Sequence, residues 1–135
     1  MTWLARSLRL PLLLALALGM AACRTAPLYA PTDVSLYAPT GATLSQVATS
    51  IMQAGASLHW LMTDRGPGVI RGMLDRHSNR CEVEIRFDTA RFSIQYLSSE
   101  NLRYDAADGT IHKGYNKWIK SLEHRIRQRA SLIPK

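Results

Sequence analysis

The sequence predicts an α+β domain in two layers, built in the order helix, three-stranded antiparallel meander, helix. Three observations predict it. Apolar residues recur at three and four residue spacing from Leu44 to Leu58, at every second position from Val69 to Leu97, and at helical spacing again from Tyr115 to Ile133.

The first helix is expected to begin at Thr43-Leu44-Ser45-Gln46, a capping-box pattern in which Thr caps an amide and Gln bonds back to the cap. Leu44, Val47, Ala48, Ile51, Ala54 and Leu58 then form one apolar stripe. Gly55 and the residues after it blur the helix end, and Gly66-Pro67-Gly68 signals a turn. Val69 to Arg76 reads as the first strand. In the second, Cys81, Val83, Ile85 and Phe87 alternate with Glu82, Glu84, Arg86 and Asp88, and in the third Phe92, Ile94 and Tyr96 share a face. The connections His77 to Arg80 and Thr89 to Arg91 are hairpin length. Residues 102 to 104 are expected to extend the sheet before a turn at Asp105 to Gly109. On the last helix, Tyr115, Trp118, Ile119, Leu122, Ile126, Ala130 and Ile133 fall on one face, with Lys113, Lys117, Lys120, His124 and Arg127 nearly opposite. Val83, Ile85, Phe92, Ile94, Trp118 and Leu122 are therefore expected to share one core.

The chain has 135 residues, 17 Lys and Arg against 10 Asp and Glu, and two cysteines. That is one domain, too short for a multidomain enzyme or repeat array and too poor in cysteine for a disulfide-framed toxin. Met1 to Ala22 reads as an export signal, with Arg6 and Arg9 before an apolar run from Leu10 to Leu18 that is shorter than the roughly 20 residues of a membrane span. Without it the chain carries a net charge of +5.

The run ends in Met20-Ala21-Ala22-Cys23, which resembles the bacterial lipobox, with Met20 where Leu, Val or Ile is usual. The resemblance implies that Cys23 becomes the acylated N-terminus. The same residues also fit an ordinary secretory signal cut after Ala22; the position of the cysteine favours the lipoprotein reading. Arg24 stands where enterobacterial lipoproteins retained in the inner membrane carry Asp. By that analogy the chain is expected in the outer membrane, lipid-anchored and facing the periplasm, ahead of the inner membrane. Residues 24 to 43 hold three prolines and a repeat, Leu28-Tyr29-Ala30-Pro31-Thr32 and Leu36-Tyr37-Ala38-Pro39-Thr40. They read first as an extended tether able to span roughly 60 Å. The sharper reading makes Tyr29 and Tyr37 a binding strip, or one copy an added edge strand. The division expected is thus signal 1–22, acylated residue and tether 23–43, domain 44–135.

Within the domain, Ala54-Gly55-Ala56 with Trp60, Pro67-Gly68-Val69-Ile70 with Gly72 and Leu74, Phe92-Ser93-Ile94-Gln95-Tyr96 with Ser99, Asn101 and Leu102, and Ile111-His112, Tyr115-Asn116, Trp118-Ile119 and Leu122 form a set. Together they resemble a family of short, mostly uncharacterised Gram-negative bacterial lipoproteins. The resemblance covers about residues 43 to 127 and implies location and approximate fold. It brings no catalytic residues.

No P-loop, GxSxG, HExxH or dinucleotide motif is present, and His59, His77, His112 and His124 stand at no metal-ligand spacing. The expectation is a binding or structural module of the cell envelope, with no catalytic residues, metal or cofactor. The alternative is an envelope enzyme or sensor whose site sequence does not reveal. Cys81 reads as a small core residue, and His112, near the start of the last helix, as structural. Trp60 and Trp118 read as core, or with Tyr115 as a shallow aromatic groove. Residues 113 to 135 carry seven Lys and Arg against Glu123 alone. Lys113, Lys117, Lys120 and Arg127 are therefore the candidate anionic-surface residues, for lipid headgroups, lipopolysaccharide or an acidic envelope protein, with nucleic acid not expected in that location. The plainer reading of this face is a solvated helix surface.

Overall fold

A computed structural model describes residues 24–135; Cys23 and the signal-like segment before it lie outside the described residues. The elements are β1 (Thr25–Pro27), β2 (Val34–Ser35), α1 (Leu44–Ser57), β3 (Leu61–Asp64), β4 (Val69–Arg76), β5 (Asn79–Phe87), β6 (Arg91–Glu100), β7 (Thr110–His112) and α2 (Lys113–Ser131). The class is α+β, as expected. The sheet is larger than the expected three strands: β2-β6-β5-β4-β3 form a five-stranded antiparallel sheet, and β1 and β7 form a separate two-stranded ladder.

Helix α1 starts where its cap dictates. The Thr43 hydroxyl accepts from the Gln46 amide at 3.1 Å, and the Gln46 side chain accepts from the Thr43 amide at 2.9 Å. Its end explains the unexpected β3. The Trp60 amide donates to the Gly55 carbonyl and the His59 amide to Ala56, with His59 at φ 67. That is a Schellman termination, and it turns the chain straight into a strand. β3 lies beside β4 with Met62 opposite Gly72, where a side chain on Gly55 would collide with the Met62 thioether.

The two tight connections of the sheet have different origins. At β4–β5, His77 and Ser78 both take positive φ, 50 and 70, as a two-residue type I′ hairpin requires. At β5–β6, the Asp88 carboxylate accepts the Ala90 and Arg91 amides, both at 2.7 Å. Those two bonds hold the Asp88 carboxyl below its usual value. A bulge inserts Leu97 between Tyr96, opposite Val83, and Ser98, opposite Glu82. Residues 102 to 104 do not extend the sheet: the Leu102 carbonyl accepts from the His112 amide, and Asp105 makes only an isolated bridge to Thr110.

Both helices contribute to the core together with the inner face of the sheet. Ile70, Leu74, Cys81, Val83, Ile85, Phe92 and Ile94 meet Val47, Ile51 and Ala54 of α1 and Tyr115, Ile119, Leu122, Ile126 and Ala130 of α2, all at most 2% exposed. Five of the six residues expected to share the core are fully buried; Trp118 is half-buried against it.

The free extended tether is corrected. Leu36 is completely buried, Leu28 and Tyr29 are half-buried, and the Pro31 carbonyl accepts from the Ile94 amide at 2.9 Å. Proline lacks an amide but keeps its carbonyl, so proline-rich chain can still bond a sheet edge. The edge-strand reading fits part of the segment, since β2 precedes the second repeat copy and pairs Val34 with Phe92.

Two substitutions separate a strap from a spacer. Leu122→Ala and Leu36→Ala should each cost about 2–5 kcal/mol in denaturant unfolding, because both remove a fully buried leucine. A free spacer would leave the Leu36→Ala value near zero.

Candidate functional surface

The strap residues and α2 build one surface. Tyr29 lies along the helix: its amide donates to the Asn116 side chain at 2.9 Å, and its hydroxyl donates to the Glu123 carboxylate at 2.5 Å. Asn116 in turn donates to the Pro27 carbonyl at 2.9 Å. Bonding to the carboxylate, reinforced by burial, pushes the Tyr29 hydroxyl above its ordinary pKa. Lys120 Nζ sits 5.3 Å from the Tyr29 ring centre, and the Arg127 guanidinium 4.8 Å from that of Tyr37. The two tyrosines of the repeat thus hold two cations of the helix.

The four candidate cations are therefore unequal. Arg127 is half-buried, stacked on Tyr37 and 4.0 Å from Glu123 one turn earlier. Lys120 is exposed but leans on Tyr29. Lys113 and Lys117 are exposed, and no carboxylate among the described residues lies within 4.0 Å of either. Sequence reasoning missed two arginines beside them. The Lys113 amide donates to the Arg24 carbonyl at 3.0 Å, and the His112 amide donates to the Leu102 carbonyl at 2.7 Å, which brings exposed Arg24 and Arg103 to the start of α2. No local pattern marks either residue, because long-range backbone pairing places them.

The helix start itself is satisfied internally: His112 is the N-cap, and its Nδ1 accepts from the Gly114 amide at 2.9 Å. His59, His77 and His124 are exposed and separate. Among the described residues no three His, Cys, Asp or Glu side chains gather as a metal group, and no helix is long and apolar enough to cross a membrane.

The aromatic residues divide between core and edge. Trp60 and Tyr115 are buried and Trp118 is half-buried. Tyr96 stacks on Tyr104 with centres 4.2 Å apart, meets Tyr115 edge-on at 5.8 Å, and hydrogen-bonds Ser99 at 2.7 Å. Cys81 is a free, buried thiol, 1% exposed. Burial pushes it from 9.0 up to about 12, and burial likewise raises Tyr115 and Tyr96.

The outer sheet face carries a charge ladder, with Arg86 2.7 Å and Arg71 3.8 Å from Glu84, and Arg80 3.8 Å from Glu82. An open groove of about 390 Å³ lies between the start of α1 and the end of α2, lined by Ser45, Gln46, Thr49, Gln53, Arg129 and Leu132 among others. Comparison of the chain with family models, with curated proteins and with solved structures found no match.

The buried acids predict an alkaline weakness. As pH rises past 9.0 the unfolded chain releases the Cys81 proton while the folded chain holds it to about 12, so the unfolded state binds fewer protons and stability falls through that window. Tyrosines 29, 96 and 115 act in the same direction. The denaturant midpoint should fall as pH rises above 9.0, less steeply in Cys81→Ala, and a thiol reagent should label Cys81 only on unfolding.

Proposed function

We propose that this chain is a lipid-anchored, periplasm-facing module of the cell envelope that binds or organises an anionic envelope component. Acylation at Cys23 makes the anchor, and two or more acyl chains make attachment effectively permanent. Outer-membrane residence follows from Arg24 by the analogy drawn above. The observation that carries the binding role is the placement of Lys113, Lys117 and Lys120 on the exposed face of α2, while Tyr115, Ile119 and Leu122 are buried in the core. A helix so divided spends its apolar face on stability and leaves a cationic face free.

Labelled fatty acid fed to expressing cells should enter the wild type and not Cys23→Ala. Equal labelling of the two would defeat the anchor assignment. Membrane fractionation should recover the wild type with the outer membrane, and recovery with the inner membrane would remove the Arg24 argument.

A further inference from the structure

Chain exit, free cations and helix start meet at one end of the molecule. β1 begins at Thr25, paired with His112, and runs antiparallel to β7 so that Pro27 faces Thr110. Arg24, the residue after Cys23, is bonded through its carbonyl to Lys113. At roughly 3.3–3.6 Å per residue, Cys23 is within about 7 Å of the first paired residue, so the sequence-expected stand-off of tens of ångströms does not exist. Around that exit stand Arg24, Arg103, Lys113 and, one turn along, Lys117, all exposed.

Among the described residues no carboxylate lies within 4.0 Å of the charged groups of Arg24, Arg103, Lys113 or Lys117. Asp105 and Asp108 occupy the loop at the Thr110 end of the β1–β7 ladder, where the Asp105 carboxylate accepts the Ala107 and Asp108 amides. Glu100 lies across the β5–β6 ladder from Arg80. Glu123 is held by Tyr29 and Arg127 farther up α2.

We propose that the domain docks directly on the leaflet that holds its acyl chains, with Arg24, Arg103, Lys113 and Lys117 seated against anionic phospholipid headgroups. This rests on the reading of Cys23 as the acylated residue. The occupant follows from where the chain ends and from charge. A lipid on Cys23 brings the headgroup layer to this rim, and the rim carries four cations to meet phosphate. The positive end of the α2 dipole points the same way.

The four lysines of the chain, Lys113, Lys117, Lys120 and Lys135, allow a direct test. The mature acylated chain is added to phosphatidylcholine vesicles with or without phosphatidylglycerol, pulsed with an amine-reactive reagent, and read by peptide mass. Lys113 and Lys117 should react several-fold more slowly on the anionic vesicles than on the neutral ones, with the protection lost at high salt. Lys135 should react equally on both. If the chain floats with the vesicles while Lys113 and Lys117 react as fast as Lys135 on both, or if all four lysines are protected alike, the docking proposal is overturned and the anchor stands. A chain lacking the acyl mass and failing to float overturns the anchor itself.

Discussion

Burial of the inner sheet face is the constraint from which the rest of the structure follows. Ile70, Leu74, Val83, Ile85, Phe92 and Ile94 project from three adjacent strands onto that face and are at most 2% exposed. Burying such a side chain contributes about 1.5–3 kcal/mol, against a net stability of only about 5–15 kcal/mol for a whole domain. No arrangement that leaves this face wet is affordable. Two helices supply most of the cover, and Arg125 on α2 ties them by donating to the Ser57 hydroxyl at 2.7 Å. Leu36 completes the apolar cluster, and its amide closes onto the Ala90 carbonyl at 2.9 Å.

The strap also fixes which cations of α2 remain free. Tyr29 and Tyr37 are eight residues apart and sit beside Lys120 and Arg127, which are seven apart on the helix. Eight residues of straight strand would advance about 26 Å, whereas seven helical residues advance only about 10.5 Å. The strap must therefore bend, and it does so at Asp33 and Tyr37, which take φ 52 and 54. The excess length carries β2 out to the edge of the sheet and back. Each tyrosine–cation contact is worth little alone at an exposed site, about 0.5–1 kcal/mol. Their structural effect is selective: Arg127 is drawn into internal contacts, and Lys113 and Lys117 are not.

Sequence periodicity carried the parts of the fold that are local. The capping box at Thr43, the stripe of α2 and the alternation of β4, β5 and β6 all depend on neighbours within a turn or a strand, and all are present as expected. The failures share a cause. β1, β2, β3 and β7 are two to four residues long, too short for a period to register, and all but β3, which pairs with the next strand, are held by partners far along the chain. The three prolines of the strap suggested solvated polyproline, because the missing amide is visible in sequence and the bonded carbonyl is not. The hairpin at His77-Ser78 lacks the Gly or Asn that usually announces positive φ. For the surface, Lys113, Lys117 and Lys120 were legible as a helical face, but Arg24 and Arg103 were not, since only the bonds from Lys113 and His112 bring them there.

Under the proposed anchor at Cys23, a short link to the fold changes what weak charges can do. A cation near an anionic surface contributes about 1 kcal/mol, too little to hold a free domain against the cost of association. If acyl chains keep the protein at the surface, as proposed, that cost is already met and the charges act only on orientation. On a long tether the domain would spend most of its time beyond the roughly 8–10 Å over which salt leaves such charges effective. With Thr25 already in a ladder, a lipid on Cys23 would put Lys113 inside that range, whereas Arg127, about 21 Å farther along the α2 axis, would fall outside it with the helix rising from the bilayer. On that proposal, the same β1–β7 ladder that removes the spacer turns a diffuse positive charge into a directed one. It holds the acidic Asp105–Gly109 loop at the end of the ladder away from Arg24.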